Sequence, residues 1–136
     1  TYDPLMITHF LIHLINISIL IDAMHGIVDA VTFLAEQQVT ETQISIVSAM
    51  ELIAGCRNKT EMRELQEFFQ RCTFLPVTTT ISQVAFQLME SFYLSHGLVL
   101  SDALIAATAI EHDLTLYTRN TRHFRMIPQL KISQPY

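Results

Sequence analysis

Apolar and polar residues alternate along this chain in blocks that switch between strand length and helix length. Leu11 to Ile15 reads as a first strand, and Ile19 to Met24 leads into a helix that Gly26 breaks. Val28 to Gln37 predicts a second helix. Gln43 to Val47 is a short run with β-branched Ile44, Ile46 and Val47 and suits a parallel strand. Ser48 to Cys56 is helical, with Gly55 as its stop signal. Thr60 can cap the next helix, whose buried stripe is Met62, Leu65, Phe69 and Cys72, with Glu67 and Arg71 paired outside. Phe74 to Val77 is a third strand. Thr80 or Ser82 then opens a helix whose apolar face is Ile81, Val84, Ala85, Leu88 and Phe92, and Gly97 ends it.

The next block is the most apolar helix of the chain. Ser101 is a good N-cap, and Asp102 follows in the first turn, where the helix dipole favours a carboxylate. Ala103 to Ile110 is apolar nearly all round, so this helix should be buried on more than one side. Leu114 to Thr118 then reads as a buried strand that delivers Arg119, Asn120, Thr121 and Arg122 at its end, and Leu130 to Ile132 as a last edge strand. Strands alternating with helices imply βαβ units, a mainly parallel sheet flanked by helices, and one α/β domain over residues 1–136.

Composition agrees with that class. Half of the 136 residues are hydrophobic and 15% are charged, which excludes a disordered chain. The net charge of −5 gives no global basic field. All eight Lys and Arg lie at or after Arg57, and Arg119, Arg122 and Arg125 bracket Asn120. Cys56 and Cys72 fit no zinc or redox motif and read as reduced, buried thiols of a cytoplasmic protein. Leu5 to Ile21 is apolar enough to raise the question of a membrane span. It holds His9, His13, Asn16 and Ser18 and is short, so a buried strand with its flank is expected and no membrane. Three glycines form no phosphate-cradling loop, which disfavours a flavodoxin-like binder.

In a parallel α/β sheet, strand ends and the helices after them meet along one edge. Asn16 ends the first strand, Glu51 follows the second, Asp102 opens the buried helix and Asn120 follows the late strand. Carboxylates with amides make the hard-oxygen environment that suits Mg²⁺ or Mn²⁺, and nearby arginines suit a phosphodiester. Glu51 lies among Ala49, Leu52, Ile53 and Ala54, and a carboxylate in that company needs a partner or a metal. Taken alone, Asp102 needs no role beyond that of a favourable first-turn residue. His9 and His13, at i,i+4 spacing, read as flank or packing residues. The set Phe68, Phe69, Phe74, Phe86 and Phe92 reads as core or interface.

Four segments in order resemble the motifs of PIN-domain ribonucleases: Leu14 to Ala23, Ile46 to Gly55, Ser101 to Ala109, and Thr118 to Phe124. Their order and spacing resemble the small VapC-type toxins of bacterial toxin–antitoxin systems. The resemblance implies a PIN-like three-layer fold and a Mg²⁺- or Mn²⁺-dependent endoribonuclease, held in check by a cognate antitoxin and forming a homodimer. It implies Asn16, Glu51, Asp102 and Asn120 as catalytic residues, with Glu51, Asp102 and Asn16 at the metal. Arg119, Arg122 and His123 would then contact RNA, and Asp22 and Ser18 would support the site from behind. Asn16 stands where the family's aspartate normally is. At about 4 Å and an effective dielectric of ~20, one unit charge is worth ~4 kcal/mol to its partner. An amide there predicts weakened metal binding, and the alternative reading is an inactive PIN-like interaction module.

Overall fold

The structure, a computed structural model, describes residues 13–36 and 42–136. In chain order the elements are β1 (His13–Ile15), α1 (Ile17–Met24), α2 (Val28–Glu36), β2 (Thr42–Ser45), α3 (Ile46–Ala54) and α4 (Lys59–Phe69). They continue with β3 (Cys72–Leu75), α5 (Thr79–His96), α6 (Leu100–Glu111), β4 (Thr115–Tyr117), a 3₁₀ turn (Thr121–His123) and β5 (Lys131–Ser133). Leu11, Ile12, His9 and Gln37 fall outside the described residues.

Every described strand pairing is parallel. One ladder runs β1-β4-β5 and the other pairs β2 with β3. The Gln43 side chain donates to the His13 carbonyl at 2.9 Å and ties the two ladders side by side. The two faces of β1 show why helices must cover both sides. Leu14 points into a core built with Ile81, Ala85 and Leu88 of α5 and with Ala103, Ala106 and Ala107 of α6. Its neighbour Ile15 joins Ile19, Leu20, Ala49, Leu52 and Leu65 on the opposite face. The result is a three-layer α/β arrangement.

Helix ends follow local chemistry. Ser45, Asn58 and Thr78 accept from the backbone N–H of Val47, Glu61 and Ile81 and cap α3, α4 and α5. Gly97 ends α5 in the left-handed conformation at φ 68°, and Gly26 turns the chain after α1 at φ 76°. Several boundaries expected from sequence shift. The cap of α4 is Asn58 rather than Thr60, because its oxygen stands three residues before Glu61. Cys72 lies in β3 and not on the stripe of α4, and Arg71 lies beyond the helix with its guanidinium over the Phe68 ring. β3 begins two residues before the expected Phe74. α6 begins at Leu100 with Val99 as a cap that makes no side-chain bond, so Ser101 sits inside the first turn. Cys56 and Cys72 are free thiols but half-buried rather than buried. Among the described residues no single helix is long and apolar enough to cross a membrane.

Candidate active site

Asn16 leaves β1 and opens α1. It is 2% exposed. Its Oδ1 accepts the N–H of Ser18 at 3.1 Å, which caps the helix, and also the hydroxyl of Thr118 at 3.1 Å. Its own N–H donates to the Tyr117 carbonyl at 2.9 Å, so β1 and β4 keep their register up to this point. Thr118 in turn accepts the N–H of Asn120 at 3.0 Å, and Ser18 Oγ accepts the N–H of Arg119 at 3.1 Å. The start of α1 and the end of β4 are thereby locked together through Asn16, Ser18, Thr118 and Asn120.

The other half of the site is acidic and poorly satisfied. Glu51 lies on α3 and Asp102 in the first turn of α6. Burial raises the Glu51 pKa above its ordinary value, and the charge of Asp102 raises it further. Ser101 eases that shift slightly, but Glu51 Oε1 is buried and finds no hydrogen-bond partner. Burial also raises Asp102, against the opposing pull of His123, whose Nδ1 stands 3.4 Å from Asp102 Oδ2. One turn before Glu51, Ser48 is fully buried and its Oγ is likewise unpartnered.

The two halves meet through the turn after β4, where His123 N–H donates to the Asn120 carbonyl at 3.0 Å. Through Thr118 and the backbone of the Asn120 turn, Asn16 is thus linked to His123, Asp102 and Glu51 in one series. Among the described residues no three His, Cys, Asp or Glu side chains stand close enough to hold an ion by themselves. A cation here would rest on Glu51 and Asp102, with further oxygens from amides, hydroxyls or water. The orphaned oxygen of Glu51 fits such an ion, because a buried carboxylate oxygen without a partner is costly and a cation removes the cost.

A family model for the PIN domain matches residues 8–129. This chain belongs to the PIN-domain family. It is 37% identical over 121 residues to Ribonuclease VapC19 of Mycobacterium tuberculosis (strain CDC 1551 / Oshkosh), covering 87% of this chain and 96% of the relative. It is 38% identical over 120 residues to Ribonuclease VapC10 of the same strain, covering 87% of this chain and 90% of the relative. Its fold superimposes on a toxin-antitoxin complex from Klebsiella pneumoniae with a TM-score of 0.77 and 29% identity, covering 91% of this chain and 98% of that one.

Two residues of this PIN domain that contact the site escaped the sequence reading. Thr118 was legible only as the end of a strand, yet it bridges Asn16 and Asn120. Tyr136 donates its hydroxyl to Asp22 Oδ2 at 2.9 Å, and the Arg119 guanidinium lies 4.6 Å from its ring centre and bonds its carbonyl. Asp22 therefore bonds Tyr136, which in turn holds Arg119. Burial and the Asp22 carboxylate push the Tyr136 phenol up to about 12. Arg119 is engaged on Tyr136, whereas Arg122 and His123 are exposed on the turn after Asn120, with His123 beside Asp102. His13 packs as expected, with Nε2 2.9 Å from the Tyr117 hydroxyl.

Proposed function

We propose that this chain is a cytoplasmic endoribonuclease toxin that depends on Mg²⁺ or Mn²⁺ and is restrained by a cognate antitoxin. The observation that carries the reading is the buried, unpartnered Glu51 oxygen beside Asp102. Glu51 and Asp102 would hold the ion, which when bound supplies a Lewis acid for phosphodiester hydrolysis. Asn120 and the backbone of its turn shape the rim. Arg122 and His123 bind and orient the RNA phosphate, which suits cationic and donor groups on an exposed turn. Ser18 and Thr118 hold the turn in place, and Asp22 anchors Tyr136 at its edge. The names of the two ribonuclease relatives support the activity, and the Klebsiella pneumoniae toxin-antitoxin complex supports the restraint.

The same reading includes two protein partners. Ile21, Met24 and Val31 are exposed apolar residues near a groove of about 520 Å³ between α1, α2 and α4, a surface suited to an apolar antitoxin segment. Phe86, Tyr93 and Leu94 of α5, with Leu94 95% exposed, and Val99 and Leu100 before Asp102 suit a second copy of this chain. Phe68 and Phe69 are half-buried, which favours α5 over that segment as the dimer face.

The test is cleavage of a single-stranded RNA by the purified chain with Mn²⁺, with and without EDTA, beside Asp102→Ala. Cleavage that needs both the ion and Asp102 supports the proposal. Cleavage that survives EDTA or Asp102→Ala overturns it. The alternative, a PIN domain that keeps its partners but cleaves poorly, is favoured by one observation: the state of the Asn16 amide.

A further inference from the structure

Asn16 occupies the place at the end of β1 where an oxygen ligand is expected, and its side chain has one oxygen. Ser18 N–H is a backbone group that can only donate, so the Asn16 atom it bonds is the oxygen. The hydroxyl of Thr118 donates to the same oxygen. An amide oxygen has two lone pairs, and both are taken inside the protein. The only other polar atom of the side chain is Nδ2, a donor that cannot ligate a cation. At 2% exposure and with the helix cap and the β4 contact both depending on it, the side chain is not free to turn round.

We infer that Asn16 is a positioning residue that gives no oxygen to a cation, so that this PIN domain takes divalent ions through Glu51 and Asp102 without a third protein ligand from β1. The inference rests on the cation site proposed above and revises one member of it. Asn16 keeps α1, β4 and the Asn120 turn in register, while the acidic pair on α3 and α6 carries the charge. A carboxylate at this position has nearly the same shape. One of its oxygens can accept from Ser18 and Thr118 while the second stands where Nδ2 stood. The chain as it is lacks that second oxygen and its negative charge, so it should bind the ion weakly and serve better as an antitoxin-binding fold than as a fast nuclease.

The test uses Mn²⁺ alone, read by calorimetric titration and by the metal-induced rise in melting temperature. The full chain is compared with Asn16→Asp, Asn16→Ser and Glu51→Gln. Asn16→Asp should bind Mn²⁺ about tenfold or more tightly than the native chain, since it adds a unit charge beside the ion. Asn16→Ser, which can still cap α1, should lower the metal-free melting temperature yet leave Mn²⁺ affinity within about twofold. Glu51→Gln should weaken Mn²⁺ binding in the native and Asn16→Asp backgrounds alike. Equal Mn²⁺ affinity of native and Asn16→Asp proteins, both sensitive to Glu51→Gln, overturns the inference and leaves the cation site standing. A loss of about tenfold in Asn16→Ser also overturns the inference, because it makes the amide oxygen a ligand. Mn²⁺ binding indifferent to Glu51→Gln, or absent from every variant, overturns the site and the inference with it.

Discussion

The two halves of the site differ in how well their polar groups are satisfied. On the β1–β4 side, the uncharged Asn16, Ser18, Thr118 and Asn120 share three hydrogen bonds of 3.0–3.1 Å, and Ser18 accepts a fourth from the Arg119 backbone N–H. On the α3–α6 side, Glu51 and Asp102 are pushed toward protonation by burial, and Glu51 Oε1 has no partner. A saturated network specifies geometry, and an unsatisfied one stores a cost that a ligand can remove. On the proposed reading the neutral half is scaffold and the acidic half is where binding is gained, and each can be disturbed separately.

The largest effect is expected from the acidic half. Asp102→Ala should lower metal-dependent RNA cleavage by about 100-fold or more, a typical loss for a group that stabilises developing charge, while chemical denaturation shows no loss of fold. Next comes the scaffold. Thr118→Val removes the donor to Asn16 and the acceptor of Asn120 N–H, both at buried Thr118, and should cost about 1–3 kcal/mol in urea unfolding. If it costs nothing, the network is not what joins β1 to β4.

The pH dependence separates the halves more finely. The folded pKa values of Glu51 and Asp102 lie above their ordinary values, so ionisation is harder in the fold than in the unfolded chain. Metal-free stability should therefore be greatest below the ordinary carboxylate range and fall as pH rises through it to the raised values. Melting scans from acid to neutral pH should show a shallower fall in Glu51→Gln, and that variant should melt slightly higher than the native chain at pH 7. Added Mn²⁺ should cancel the fall in the native chain by favouring the ionised pair. The smallest effect belongs to the rim. Tyr136→Phe removes the hydroxyl bond to Asp22 and should change stability by about 0.5–1 kcal/mol, read by urea unfolding, with the Arg119 stacking intact.

Much of this was legible along the chain because it is local. Block lengths and β-branched runs place the strands within a few residues, Gly26 and Gly97 mark real turns, and the apolar circumference of Ala103 to Ala109 matches the burial of all of them but Leu104, which is half-buried. The places of Glu51 and Asp102 after their strand and in their first turn follow from the same patterns. Cap positions were less legible, since several Ser, Thr and Asn residues stand near each helix start and only the backbone path chooses among them. Asn58 prevails over Thr60, and Val99 over Ser101.

The sequence by itself determined the class of fold, the four polar positions at strand ends and the family resemblance, because each depends on period and spacing over a dozen residues. Tertiary structure alone decided which of those positions are satisfied. Thr118 meets Asn16 across 102 residues, and Tyr136 meets Asp22 across 114. No periodicity encodes such pairings. They arise when the parallel strands align and two distant segments reach the same sheet edge. That alignment occupies the Asn16 oxygen and leaves one Glu51 oxygen without a partner, so two residues alike as candidate ligands in the sequence differ in the fold in whether an oxygen is left free.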